Sequence, residues 1–485
     1  MSEIKEHCGL FGVFGCEDAV ERVYYGLYSL QHRGEESAGI ATTDGKDIVC
    51  FKGMGLVTDA IKTEALKPWK NTAAIGHVRY STIGSSHVGN AQPLVVDYYK
   101  GKVAVAHNGQ LTNAKRMREE FEANGSIFHT TSDTEVILHL MARPLNMMQE
   151  SLSPVLSQLK GSFSLLFLTP NGMVGVRDPH GFRPLAIGKL NSGYVMASET
   201  CALDQVGAEY IRDVNPGEAV YVTKDGLRSE YFCPQKQIKP SYCIFELVYF
   251  SRPDSQIYGE SVHLFRKRLG ATLAAESPVD ADVVISVPEG GNSAAIGYSH
   301  ASGIPFDRGF IRNHYVGRTF ILPEQAKRHR IVELKLNPLK ETVKGKRVVV
   351  IDDSIVRGTT SKSRFGLLRK AGAKEIHVKI SCPPHRYPCY YGIDFQQKGE
   401  LIASTRSLEE IRQFLGVETL NYLSVEGMMN CATQPQPHFC NACFTSNYPT
   451  PIEEDTKKLT ERKKDTEAVK DDAKSCMRKN AEGMI

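Results

Sequence analysis

The stretch RVVVIDDSIVRGTTSKSRFGLLRKAG, Arg347 to Gly372, limits the folds open to this chain more than any other. Val348 to Ile351 are all β-branched and apolar, which predicts a strand buried on both faces. Asp352 and Asp353 end that strand, and a polar loop with one glycine then leads into a helix predicted over 361–371. DADVVISVPEGG, from Asp280, repeats the pattern ahead of a helix predicted over 293–302. Wholly apolar strands alternating with helices make an α/β domain with a parallel sheet covered on both faces. Ligands of such sheets bind at the carboxyl ends of the strands.

Residues 8–235 have another character. SFSLLFLTPNGMVGVRD, GYVMAS and GEAVYVTKDG read as short strands joined by Gly, Asn and Pro turns. Helices are predicted near 18–32 and 112–123. This is a sheet-rich α+β domain, and a second core is what 485 residues require. A third section, 411–453, carries Pro, polar residues and three cysteines in NCATQPQPHFCNACFTSNYPTP. Residues 454–485 mix Lys, Asp and Glu with few large apolar residues, as in a solvated helix or a disordered tail. A net charge of +4 supports neither nucleic-acid nor membrane-surface binding, and no run of 18 apolar residues occurs. A soluble cytoplasmic protein is expected.

Twelve cysteines scattered over such a length fit reduced thiols, metal ligation or a nucleophile better than disulfides. Cys8 follows MSEIKEH, a lead too short and polar for a secretory signal. If residues 1–7 are a propeptide, its removal makes Cys8 the N-terminus. Its own α-amine, of pKa about 7.7–8.0, would then be the base its thiol needs. The ordinary alternative is a buried strand thiol. HNGQLTN reads as a turn after the strand KVAVA. There the Asn108 amide and the Gly109 N–H would make an oxyanion hole, unless this is a plain hairpin turn. Arg79, in GHVRYSTIG, suits bidentate capture of a carboxylate. Asp133, in TTSDTEVILHL, would pair with an ammonium or cap the helix that follows. Together these groups would hold an α-amino acid by both ends and attack its side-chain carbonyl.

CGLFGVFG, LQHRGEESAGI, GHVRYSTIG, HNGQLTN and SDTE resemble the glutaminase domain of the N-terminal-nucleophile amidotransferases, over about residues 8–235. The resemblance implies an αββα-like fold in which Cys8 attacks the glutamine carboxamide and releases ammonia. It implies an oxyanion hole of Asn108 and Gly109, with Arg79 and Asp133 binding the substrate's carboxylate and amine.

In the second half, hydroxyls and N–H groups at a helix N-terminus make an anion site. Two acids beside it would hold ribose hydroxyls and Mg²⁺. Neither GxGxxG nor GxxxxGK[ST] occurs, which argues against dinucleotide binding and P-loop hydrolysis. VVVIDDSIVRGTTS resembles the phosphoribosylpyrophosphate signature of phosphoribosyltransferases, over about 260–410. With VGRTFILP and FELVYFSRPDS, the chain from Cys8 to Pro451 resembles the amidophosphoribosyltransferase family of purine synthesis. That resemblance implies that ammonia passes through an internal channel to phosphoribosylpyrophosphate and displaces pyrophosphate, giving 5-phosphoribosylamine. Asp352 and Asp353 would hold ribose and metal, and Arg357, Gly358, Thr359 and Thr360 the 5′-phosphate. VPEGGN would be the pyrophosphate loop and Thr319–Lys344 a lid. Gly290 stands where many members carry Ser or Thr, and RNHYVGRTF keeps Arg312 but has His314 where a basic residue is usual.

Cys440 and Cys443 form a C-x-x-C pair, which alone suits zinc or redox chemistry. One subgroup of the family holds a [4Fe–4S] cluster, and its ligand contexts match at Cys243, Cys389, Cys440 and Cys443. Zinc stays chemically open, and Cys382 and Cys431 are alternatives to Cys389 and Cys440. The cluster's role would be structural, and in this subgroup the lead is removed. The family further implies homotetramers or homodimers and feedback inhibition by purine nucleotides. The competing class is a non-catalytic phosphoribosylpyrophosphate-binding regulator, which would call for a basic DNA-binding region that the chain does not display.

Overall fold

The computed structural model describes residues 8–69, 71–80, 86–143, 151–191, 193–313, 336–393, 398–435 and 438–452. The proposed lead over 1–7, the charged tail over 454–485, His314, and 319–335 of the expected lid lie outside them. Of the rest of that lid, Leu336–Pro338 is a strand and Lys340–Val343 a helical turn.

Two antiparallel sheets face each other in the first half. The seven-stranded sheet runs, edge to edge, Glu209–Asp213, Ala186–Lys189, Tyr194–Ala197, Gly9–Phe14, Ala73–Arg79, Ser37–Thr43, Ile48–Met54. The six-stranded sheet runs Gly226–Tyr231, Glu218–Thr223, Gly172–Arg177, Gly161–Thr169, Gly101–Leu111, Leu94–Tyr98. Strand alternation sorts their side chains into layers. Leu10, Leu166 and Leu168 fill the space between the sheets. Phe11 and Val13 face outward onto Val23 and Leu27 of the helix Ala19–Ser29. Phe163 and Leu165 face outward on the other side, beneath Phe121, Val136 and Leu140 of the helices Ala114–Ala123 and Thr134–Met141. The layering is αββα.

The second half holds a four-stranded parallel sheet in the order Val283–Ser286, Arg347–Asp352, Glu375–Ile380, Thr419–Tyr422. Its edge strand thus comes from the 411–453 section. Val283–Ser286 is buried throughout and Arg347–Asp352 is buried after its first residue, as expected of strands covered on both faces. Helices Asn292–Ser302 and Thr359–Lys370 follow these two strands. Tyr242–Cys243 pairs in parallel with Phe439–Cys440, tying the C-terminal section back to the junction of the halves.

One expectation fails. Asn108–Gly109 is not a turn: the strand Gly101–Leu111 runs straight through it. Asn108 is in register with Ser164, Gly109 with Phe163 and Gln110 with Ser162. A type I′ turn needs positive φ at both residues, but here only Gly109 has it, at 147°. Pairing with Gly161–Thr169 decides the conformation.

Candidate active sites

Cys8 sits just before the strand Gly9–Phe14, half-buried, with its Sγ 3.7 Å from the Tyr80 carbonyl oxygen. Burial pushes its thiol up; Arg79 offsets this, while Glu36 and Asp133 add to it. The thiol is therefore protonated near neutrality and needs a base to act. Arg33 Nε donates to the Cys8 carbonyl oxygen at 3.1 Å.

Arg79 ends the neighbouring strand and is buried. Its Nη1 donates to Glu36 Oε1 at 2.7 Å. Sequence reasoning missed Glu36. Its signal is position, since it lies one residue before Ser37, the register partner of Arg79. Asp133 heads the helix Thr134–Met141 without capping it by its side chain. Its Oδ2 instead accepts the Leu111 N–H at 2.9 Å, and its Oδ1 lies 3.7 Å from His107 Nδ1. Arg79, from a strand end, and Asp133, from a helix N-terminus, thus both act on Cys8 electrostatically.

Asn108 is fully buried, and neither atom of its amide has a hydrogen-bond partner among the described residues. Buried amides are nearly always paired, so this one has both its donor and its acceptor open to a bound group. Its strand packs across the inter-sheet space against Gly9–Phe14. Gly109 cannot be replaced without strain, because a Cβ would collide with the Ser162 carbonyl and its φ is positive. The second half reaches this strand. Gly392, at φ 99°, lies so close that a Cβ on it would be 3.1 Å from the Gly109 carbonyl carbon.

The other centre forms at the carboxyl end of Arg347–Asp352. Asp352 and Asp353 are both buried. Asp352 accepts the Asp353 N–H at 3.0 Å and Arg364 Nη1 at 3.2 Å, and Asp353 accepts Ser354 Oγ at 2.6 Å. Burial raises both carboxyls, and the neighbouring Asp353 charge raises Asp352 further. Two crowded acids that resist ionisation fit a divalent cation, which would favour their charged forms. Gly358, at φ 77°, turns the loop into the helix Thr359–Lys370, whose N-terminal N–H groups face the same end of the sheet. Arg357 Nη2 donates to Glu400 Oε2 at 3.1 Å. A Cβ on Gly290 would collide with the Asp353 carboxylate, so VPEGGN lies directly against the acids. Arg312 is exposed.

Cys243, Cys389, Cys440 and Cys443 line one cavity, with Arg183 in its wall. Cys243 and Cys440 are direct partners across the parallel strand pair. Burial raises all four thiols, Cys243 to about 11, while Arg183 works against this at Cys243, Cys389 and Cys440. Cys382 and Cys431 do not line the cavity. Cys382 donates to Pro383 O, and Cys431 lies against Thr272 Oγ1 and Gly427 O. Among the described residues no three His, Cys, Asp or Glu side chains are placed to share one metal ion. Four thiol donors around a cavity, with no nitrogen or oxygen ligand among them, suit either an iron–sulfur cluster or a four-cysteine zinc ion.

A family model described as a glutamine amidotransferase domain matches residues 77–205. The amidophosphoribosyltransferase of Bacillus subtilis (strain 168) is 50% identical over 471 residues, covering 94% of this chain and 97% of that one. The amidophosphoribosyltransferase of Methanothermobacter thermautotrophicus is 46% identical over 460 residues, covering 94% and 97%. Among solved structures, glutamine phosphoribosylpyrophosphate amidotransferase from B. subtilis, complexed with ADP and GMP, matches with a TM-score of 0.86 at 49% identity, over 92% of this chain and 98% of that one. A structure described as the allosteric regulatory enzyme of purine biosynthesis matches with a TM-score of 0.87 at 50% identity, over 93% and 97%.

Proposed function

This chain belongs to the amidophosphoribosyltransferase family, glutamine amidotransferases of purine biosynthesis, and from that premise we propose how its residues divide the reaction. Residues 8–235 are the glutaminase and 260–410 the phosphoribosyltransferase, with 411–453 completing the thiol cavity. Arg79 binds the α-carboxylate of glutamine and Asp133 its α-ammonium. Cys8 Sγ attacks the carboxamide carbon. Its proton passes to the α-amine exposed when residues 1–7 are removed, and from there to the departing nitrogen, which leaves as ammonia. The Asn108 amide and the Gly109 N–H hold the oxyanion. Water then hydrolyses the thioester to glutamate and frees the thiol. Ammonia passes internally to C1 of phosphoribosylpyrophosphate; its nitrogen forms the new C–N bond as the C–O bond to pyrophosphate breaks. The product is 5-phosphoribosylamine.

In that half, Arg357 to Thr360 bind the 5′-phosphate and VPEGGN the pyrophosphate. Asp352 and Asp353 would hold Mg²⁺, which supplies charge neutralisation for the leaving pyrophosphate. Cys243, Cys389, Cys440 and Cys443 would hold a [4Fe–4S] cluster, which supplies a cross-link between the C-terminal section and the rest. Cysteines that are scattered along the chain and form no disulfide among the described residues support a cytoplasmic location. A homotetramer or homodimer is its working form. Purine nucleotides are its feedback inhibitors, in keeping with the ADP and GMP bound to the B. subtilis relative.

The observation that carries this reading is Asn108, whose buried amide has no hydrogen-bond partner among the described residues. The test is glutamate release from glutamine by anaerobically purified protein, with and without Mg²⁺ and phosphoribosylpyrophosphate, on a chain shown by mass spectrometry to begin at Cys8. Stimulation by the sugar substrate is expected. No release under either condition would overturn the assignment and favour a binding regulator.

A further inference from the structure

A buried ionic chain lies between the two centres, and neither reaction step uses it. Glu246, fully buried, opens a π-helix over Glu246–Phe250. Its Oε1 accepts Arg33 Nη2 at 2.8 Å and Arg183 Nη1 at 3.0 Å; its Oε2 accepts Arg33 Nη1 at 3.0 Å and Ser251 Oγ at 3.1 Å. One carboxylate therefore serves two arginines that lead in different directions.

Arg33 leads to the nucleophile. Its Nε holds the Cys8 carbonyl oxygen, and its Nη1 also reaches Glu199 Oε1 at 2.6 Å. Arg183 leads to the second half. Its Nη2 donates to the Tyr391 carbonyl at 2.7 Å, and its side chain lines the thiol cavity. Tyr391 precedes Gly392, the residue that abuts Gly109. The π-helix is also gripped from the transferase side. Arg266, on the helix Val262–Glu276, donates to the Leu247 carbonyl at 2.8 Å and to the Ser251 carbonyl at 2.7 Å. Burial pulls Arg266 down to about 10, and the first charge working against that is Asp353.

An ion pair serving stability alone needs one partner. Here the anion is shared between the arginine that fixes the nucleophile's main chain and the arginine that fixes the segment beside the oxyanion strand. Buried charges of this kind cannot relax one at a time, because removing one leaves its partners uncompensated. The placement of both arginines therefore depends on this one carboxylate.

We infer that Glu246 is a positioning residue for glutamine hydrolysis, holding Arg33, and through it Cys8, in a place set by the transferase half and the thiol cavity. The inference rests on Cys8 being the glutaminase nucleophile. Its test is Glu246→Gln in mature, anaerobically purified protein. Four readouts are compared with the unsubstituted chain: kcat for glutamine, KM for glutamine, the iodoacetamide alkylation rate of Cys8 by peptide mass spectrometry, and synthesis driven by ammonium salt instead of glutamine. Glutamine-dependent kcat is expected to fall by about ten- to a hundredfold, the scale of a displaced reacting group. The KM for glutamine and the ammonium-driven rate are expected to stay within about twofold, and the Cys8 alkylation rate to change in step with kcat. Glu246→Asp is expected to restore part of the loss. An unchanged kcat, or equal loss of glutamine- and ammonium-driven synthesis, overturns the inference. Should Glu246→Gln fail to fold, Ser251→Ala removes only one of the hydrogen bonds on Glu246. It is expected to lower the glutamine-driven rate selectively, and no change in that variant is equally fatal. Cys8→Ala run alongside separates the failures: glutamine hydrolysis that survives it removes the nucleophile assignment and this inference together.

Discussion

Asn108→Ala separates a catalytic amide from a structural one. The side chain is 0% exposed, and its oxygen and nitrogen have no hydrogen-bond partner among the described residues. An unsatisfied buried amide costs about 1–3 kcal/mol. Truncation removes that cost and leaves a small cavity whose penalty is of similar size. The two offset, and stability is expected to shift by no more than about 1 kcal/mol in either direction. Catalysis has no such compensation. An oxyanion donor contributes about 2.7–4 kcal/mol in the transition state, so kcat for glutamine hydrolysis is expected to fall about 10²–10³-fold. The KM for glutamine should move little if, as proposed, Arg79 and Asp133 bind the other end of the substrate. The assay is steady-state glutamate release, with the thermal unfolding midpoint measured on the same preparation. A kcat within about threefold of the unsubstituted enzyme would refute the oxyanion role. So would a stability loss of several kcal/mol, which would mean that the amide has a partner in the fold after all.

Other outcomes follow from the same structure. Gly290→Ala pushes a methyl into the Asp353 carboxylate; the Mg²⁺ concentration for half-maximal synthesis should rise, and an unchanged titration would mean Asp353 is not a metal ligand. Cys443→Ser should lose iron and acid-labile sulfide together, measured by metal and sulfide analysis; zinc in the unsubstituted protein would contradict the cluster. Burial works against ionisation of Glu199 and Glu246, yet His32 and Arg33 at the first, and Arg33 and Arg183 at the second, hold both below the ordinary value of 4.5. Their contribution to stability is therefore complete above about pH 4.5 and is lost as pH falls through the folded-state values. Unfolding midpoints taken from pH 6 to pH 3 should drop less steeply in Glu246→Gln than in the unsubstituted protein; parallel curves would dismiss Glu246 as a cause.

Much of the architecture can be read from the chain because burial leaves a local mark. Val348 to Ile351 form a strand covered on both faces, and their composition says so without help from distant residues. The same holds for the helices beginning near Ala19, Ala114, Asn292 and Thr359. Asn108–Gly109 misleads because the dipeptide is a local turn signal, while its conformation is settled by pairing with Ser164 and Phe163, far along the chain. Glu36 is invisible as the partner of Arg79 until Ser37–Thr43 and Ala73–Arg79 are set side by side. Glu246 is harder still. Its arginines come from two other segments, and nothing near FELVYF announces that its one acid is buried between them. The four cysteines stand between these cases. Their contexts group them, but only the pairing of Tyr242–Cys243 with Phe439–Cys440 shows how Cys243 meets Cys440 and Cys443 at the cavity that Cys389 also lines.

The central claim is that ammonia released at Cys8 is the nitrogen that reaches the sugar. It is tested by supplying glutamine labelled with ¹⁵N in its amide to the mature enzyme, with Mg²⁺, phosphoribosylpyrophosphate and excess unlabelled ammonium, at a pH low enough to keep that ammonium protonated. Trapped phosphoribosylamine is then analysed by mass spectrometry. The account predicts product carrying the amide label, formed in step with glutamate. Product carrying the isotope ratio of the medium would show that the two centres do not share their ammonia.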